Sequence, residues 1–134
     1  MKSTFAILMC VALLAAGCGD PAAPAAPTPV APTVAETFTG TLLVSGINSH
    51  PFTVAQVGGV KVSLTSIQSG AAVGLGVGTS STSGCLVIDG ITAVAGSSVQ
   101  ISGTATVAGN FCVAVYDVGN LVESVTYTVT VNHS

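Results

Sequence analysis

The chain has 134 residues, only 5 % of them charged, a formal net charge of −3 and 16 glycines. Two cations cannot form the clustered basic surface that displaces counterions from nucleic acid, so a nucleic-acid partner is excluded. Hydrophobic residues make up 49 %, yet no apolar run beyond the N-terminal segment approaches the about 20 residues of a membrane-spanning helix.

In chain order the first element is a leader. Lys2 supplies a positive start, and Phe5 to Leu14 is an apolar run of h-region length. It is too short to cross a bilayer. Leu14, Ala15, Ala16 and Gly17 then lead into Cys18. These residues resemble the lipobox of bacterial lipoproteins, in which the cysteine thiol receives a diacylglycerol and becomes the first residue after cleavage. The resemblance implies a signal peptide over 1–17, palmitate-type acylation of Cys18, and attachment to a membrane of the cell envelope. An ordinary signal peptide cut after an Ala-x-Ala-like site is the alternative. In that family an aspartate directly after the cysteine favours the inner membrane. Here that residue is Gly19, with Asp20 one later, so the resemblance implies the outer membrane. One acyl chain binds only marginally, whereas two or more hold firmly.

Residues 18–35 form the second element, a Pro/Ala-rich tether. Pro21, Pro24, Pro27, Pro29 and Pro32 are five of the six prolines. Proline has a fixed φ and no N–H, so it denies the segment both helix and central strand. The sixteen residues from Asp20 to Ala35, as polyproline II, reach roughly 50 Å, enough to hold a domain off a lipid surface. A ligand for a proline-recognition module is the other reading.

Residues 36–134 are long enough for one domain with one core. Without Lys2 the only cation is Lys61, against Asp20, Glu36, Asp89, Asp117 and Glu123. Solubility must then rest on Ser, Thr, Asn and backbone. Period-two alternation runs through the domain. Phe38, Leu42 and Val44 share a face with Gly40; Phe52 and Val54 share another. Val60, Val62 and Leu64 point in, with Lys61, Ser63 and Thr65 out. Val73, Leu75 and Val77 alternate with Gly74, Gly76 and Gly78. Cys85 to Ile88 is wholly apolar and reads as a strand buried on both faces or paired centrally. Val99 and Ile101 belong to a further strand extending towards Val107. Phe111, Val113 and Val115 oppose Cys112, Ala114 and Tyr116. Val125, Tyr127, Val129 and Val131 alternate with Thr126, Thr128 and Thr130. Turn signals separate the runs, among them Gly58-Gly59, Ser69-Gly70, Ser83-Gly84, Asp89-Gly90, Gly96-Ser97, Gly109-Asn110 and Gly119-Asn120. The expected fold is all-β: an antiparallel, jelly-roll-like β-sandwich of about seven to nine strands.

Cys10 leaves with the leader and Cys18 is assigned to lipid, so Cys85 and Cys112 remain. An even pair in an oxidising compartment predicts a disulfide. Two separate buried thiols are the alternative. Two cysteines without a close histidine do not make a zinc set.

From His50 onwards the pieces resemble the bacterial pre-peptidase C-terminal domain family. They are His50-Pro51-Phe52-Thr53-Val54, Gly59-Val60-Lys61-Val62-Ser63-Leu64, Val73 to Gly78, Gly109-Asn110-Phe111-Cys112-Val113-Ala114-Val115-Tyr116, and Tyr127-Thr128-Val129-Thr130-Val131. The resemblance implies a jelly-roll-like sandwich without catalysis, with roles in binding, secretion or stability of a partner. Some members bind calcium beside the middle strand. Here Val73 to Gly78 carries no carboxylate, which removes those ligands.

No reactive constellation stands out. Gly74-Leu75-Gly76-Val77-Gly78 lacks the Lys-Ser/Thr and helix of a phosphate loop, and reads as a strand face against which another segment packs closely. His50 beside Pro51 reads as a turn residue, and His133 lies where the terminus is expected to fray. Pairing either with Asp89 or Asp117 and a serine has no nucleophile elbow to support it. Asp89 and Asp117 both read as turn residues, so a glycosidase pair of carboxylates is not expected. Asp117, Asn120 and Glu123 are a conceivable calcium set, since calcium prefers several oxygens. Tyr116 and Tyr127 are the candidates for a sugar platform, with core packing the competing role. The expectation is therefore no enzyme, no cofactor and no metal. It is a lipid-anchored envelope sandwich with a binding or structural role; a protein–protein module and a glycan binder are the alternatives.

Overall fold

The computed structural model describes Gly19, residues 22–25 and residues 33–134. The leader, Cys18 and most of the tether lie outside the described residues. Eight antiparallel strands form: β1 (Val34–Leu42), β2 (Ile47–Val54), β3 (Gly58–Ile67), β4 (Val73–Ser81), β5 (Gly84–Ala93), β6 (Ile101–Ala105), β7 (Gly109–Tyr116) and β8 (Val125–His133). A single 3₁₀ turn, Gln68–Gly70, joins β3 to β4. One sheet has the order β1-β8-β3-β6 and the other β2-β7-β4-β5. Only β4 and β5 are consecutive neighbours within a sheet; every other connection crosses between sheets. This is the jelly-roll form of the β-sandwich expected from the alternation.

The period-two pattern decides what lies between the sheets. β8 is the clearest case: Val125, Tyr127, Val129, Val131 and His133 are buried, while Thr126, Thr128, Thr130 and Asn132 face outward. Leu42, Val62, Leu64, Leu75, Val113 and Val115 complete the centre of the core. Each such side chain contributes about 1.5–3 kcal/mol relative to exposure. Across the outer face of the first sheet, Thr37, Thr39 and Thr41 stand opposite Thr130, Thr128 and Thr126. This hydroxyl-bearing face keeps water in place of the charges that the composition lacks.

The glycine-rich strand β4 is explained by its outer face. A Cβ on Gly74 would collide with the ring of Tyr116, and one on Gly76 would lie 2.7 Å from Val87. Beside it Cys85 and Cys112 form a disulfide, with their Cα atoms 5.6 Å apart. These cysteines belong to β5 and β7, which flank β4 on opposite sides. Next-nearest strands normally lie about 9–10 Å apart, so β5 must curl over β4 for the bridge to close. Gly78 permits this: a Cβ there would strike the Leu86 carbonyl.

Several expectations change. The Cys85–Ile88 run is not central: β5 is an edge strand, and Leu86 and Ile88 are 65 % and 72 % exposed. Val44 leaves the core face, because Leu43 to Gly46 make the β1–β2 turn with Ser45 at positive φ. Ser63 is buried and not turned to solvent, on the outer face of a central strand. Val99 and Val107 lie outside β6 and are exposed. Gly58-Gly59 and Gly109-Asn110 open strands in place of making turns. Asp89-Gly90 is likewise within β5, at a bulge where Val77 pairs with Asp89 and Gly78 with Val87.

Candidate functional site

A jelly roll has two lateral openings, each bounded by one edge strand from each sheet. Here they are the β1/β2 side and the β6/β5 side. The two openings are closed to very different degrees.

The β1/β2 opening is filled by side chains that satisfy one another. His50 stacks on Phe38 at 5.0 Å between ring centroids, and its Nε2 lies 2.6 Å from the Tyr127 hydroxyl. Burial lowers the His50 pKa below its usual value and raises that of Tyr127. The imidazole is therefore neutral near pH 7, and the phenol donates to Nε2. Gly40, paired with Tyr127, makes the space: a Cβ there would lie 2.6 Å from the hydroxyl oxygen. Lower on the same side, His133 Nε2 bonds Glu36 Oε1 at 2.8 Å, and the His133 ring packs 5.2 Å from Phe52. Neither histidine is in the role read from sequence. His50 lies inside β2, and His133, 3 % exposed, is held in the central strand β8. Both are committed to partners other than Asp89 and Asp117.

The β6/β5 opening stays open. Between the strands lies a cleft of about 150 Å³. Val60, Val77, Ile101, Ala105 and Phe111 line it, and Ile88 and Asp89 stand on the β5 rim. The volume corresponds to about five liquid waters, room for one side chain but below the about 300–1,000 Å³ of a small-molecule pocket. Two local features create it. β6 has only five residues, so it covers little of the core edge. β5 bulges at Ile88, one extra residue between the pairs Val77–Asp89 and Gly78–Val87, so that Ile88 and Asp89, both exposed, border the cleft opposite Val77. Asp89 joins no side-chain hydrogen bond or ion pair among the described residues. An exposed apolar rim around a concave apolar floor marks a binding surface.

Asp117 sits in the β7–β8 loop, where Oδ1 accepts the N–H groups of Gly119, Asn120 and Leu121, and Oδ2 that of Ser45. These bonds lower its pKa, led by the one from Ser45. Its oxygens are already filled by donors, the opposite of an open calcium ligand. Among the described residues, no three His, Cys, Asp or Glu side chains gather at a potential metal position. Tyr127 is 2 % exposed and Tyr116 lies over Gly74, so neither forms a free aromatic platform. A second apolar patch, Leu43, Val44, Ile47, Val118 and Val122, decorates the loops around Asp117, but it lines none of the concavities described. The cleft was missed in the sequence because its two walls come from strands in different sheets. The one local hint was Asp89-Gly90 inside an otherwise apolar run.

Fold and site together define a jelly-roll sandwich with one sealed side, one open side and no assembled catalytic group among the described residues. No protein-family model and no curated protein matches the chain. Among solved structures it is similar to that of Aeromonas hydrophila PliG, a periplasmic lysozyme inhibitor of g-type lysozyme. The TM-score is 0.52 at 12 % identity, over 72 % of this chain and 83 % of that one. At that identity the likeness concerns the fold. No helix among the described residues is long and apolar enough to cross a membrane.

Proposed function

We propose that this chain is a non-catalytic, lipid-anchored binding protein of the bacterial cell envelope, and that it holds a protein partner at the β5/β6 edge. The observation that carries the reading is the open apolar cleft beside an exposed, apolar edge strand. Edge strands offer unpaired N–H and C=O groups, and a partner strand can use them while its side chains enter a neighbouring pocket. A protein is favoured over a glycan because the cleft is lined by carbon and both tyrosines are engaged elsewhere. The similar fold of an inhibitor that acts outside the cytoplasm is consistent with this role. The pre-peptidase C-terminal resemblance supports binding in preference to catalysis. Lipidation at Cys18, removal of residues 1–17 and a tether running from Cys18 to the start of β1 complete the reading; the tether is shorter than the 18–35 expected from sequence, because Val34 and Ala35 pair with His133 and Asn132 in β1. The outer membrane is the preferred location.

The binding role is tested by placing a photo-crosslinking amino acid at Ile88 or at Thr39 in cells. A discrete protein adduct from position 88 alone is expected; no adduct from 88 removes the edge from consideration. The anchor is tested by metabolic labelling with a clickable fatty acid. Cys18→Ser should abolish the label, and persistent label would overturn the assignment.

A further inference from the structure

We propose that the β5/β6 cleft is specific for a basic side chain, lysine or arginine, presented by a partner segment lying along β5. The inference rests on the protein-binding reading above and specifies the chemistry of the occupant. Its walls are aliphatic and aromatic: Val60, Val77, Ile101 and Phe111. Such a channel accepts the methylene stem of a long side chain. At its mouth the chemistry changes abruptly. Asp89 is in register with Val77, so its carboxylate projects on the cleft side of β5. A carboxylate at the end of an apolar channel fits one kind of occupant best, a hydrocarbon stem with a cationic head. A purely apolar side chain would gain nothing from the water-exposed Asp89 carboxylate, and an acidic one would be repelled by it. The chain itself has Lys61 as the one cation of its 36–134 domain. Lys61 stands in β3 opposite Asn132 and Ser102, in the other sheet from Asp89. The counter-charge is therefore expected from outside. The volume of the cleft also fits: about 150 Å³ has room for one long side chain and little more.

The probes are three synthetic pentapeptides, acetyl-Thr-Val-X-Val-Thr-amide, with X lysine, norleucine or glutamate. They are titrated into the isotopically labelled full chain in detergent micelles and followed by backbone amide shifts. Saturable shifts of Leu86 to Ile91 and Gly103 to Ala105 are expected with lysine. Norleucine should bind about fivefold more weakly, the range of an ion pair at a solvent-facing rim, and glutamate more weakly still. Asp89→Asn should reduce the lysine peptide to the norleucine affinity and leave norleucine unchanged, while Asp89→Glu should retain the preference. Raising salt should weaken the lysine peptide alone. Equal affinity for lysine and norleucine in the unsubstituted protein, or an Asp89→Asn variant that keeps the difference, overturns the proposal. So does dimerisation that buries the same residues without peptide, which would make the occupant a second copy. Binding that follows acyl-chain length regardless of Asp89 would make it a lipid tail, with the same consequence. If the Ile88 crosslink forms but the lysine preference is absent, the inference fails and the protein-binding reading stands.

Discussion

The two lateral openings of the sandwich are built from the same material and finished differently. On the β1/β2 side, Phe38, His50, Tyr127, Glu36, His133 and Phe52 close the gap, with His50 Nε2 paired to the Tyr127 hydroxyl and His133 Nε2 to Glu36 Oε1. Pro51 in the edge strand β2 removes a backbone donor and blunts it against further pairing. On the β5/β6 side there is no comparable seal. A short strand and a bulge leave an apolar channel with one carboxylate at its border, next to an edge strand that the disulfide ties over Gly78. A jelly roll therefore need not hide both of its edges. One side can be closed by paired side chains while the other, bordered by a covalently tied edge strand, stays open.

That contrast can be broken at several points. The largest effect is expected from removing the tie. Cys85 and Cys112 are 27 residues apart, and in the chain-entropy model a loop of that length is worth about 3.5 kcal/mol. The Cys85→Ser/Cys112→Ser double variant should lose stability of that order in urea unfolding. Amide exchange should accelerate in β5 more than in β2; equal acceleration would mean that the bridge does not hold the open side in particular.

Next comes the seal. Gly40→Ala places a methyl 2.6 Å from the Tyr127 hydroxyl oxygen, and should cost about 1–3 kcal/mol by overpacking. The peptide affinity of the distant cleft should not change. A loss of cleft binding would show that the two sides are coupled.

The seal should also respond to acid. His50 has its folded pKa lowered by burial, and its contacts are the Phe38 ring and the Tyr127 hydroxyl, neither of them charged. The unfolded chain therefore takes up the proton first, near the ordinary value of about 6.5. The contribution of His50 is complete above that pH and is lost as pH falls towards and through the lowered folded value. Urea midpoints should drop between pH 7.5 and 5.0, and His50→Gln should drop less. His133 is common to both chains and cancels in the difference.

The smallest effect on stability is expected at the open rim. Ile88→Ser removes a side chain that is 72 % exposed and should change stability by less than about 0.5 kcal/mol. It should nonetheless weaken peptide binding, and a variant that binds normally would remove Ile88 from the rim of the site.

Much of the architecture was legible because strand periodicity is local. The runs in β1, β2 and β8 that alternate in sequence alternate in burial, whereas β3, β4 and β7 are covered on both faces at their centres, and the stripped face of β4 does receive Tyr116 and Val87. Legibility failed where position within a sheet mattered. Cys85 to Ile88 is as apolar as a central strand, and nothing in four residues tells an edge from a centre. His50 and His133 read as turn and terminus because their partners, Tyr127 and Glu36, lie 77 and 97 residues away.

Alternating valines and threonines, spaced by turn residues, were sufficient for the sandwich, because the choice between its two faces is made every second residue by burial of apolar surface. The pairing of Cys85 with Cys112 was expected from sequence once Cys10 was assigned to a leader and Cys18 to lipid, and the structure forms it. Which edge is sealed, which is open, and that Asp89 looks into the opening were decided by tertiary structure alone. Those features arise where strands from different sheets meet, and no local pattern encodes what will stand across the gap.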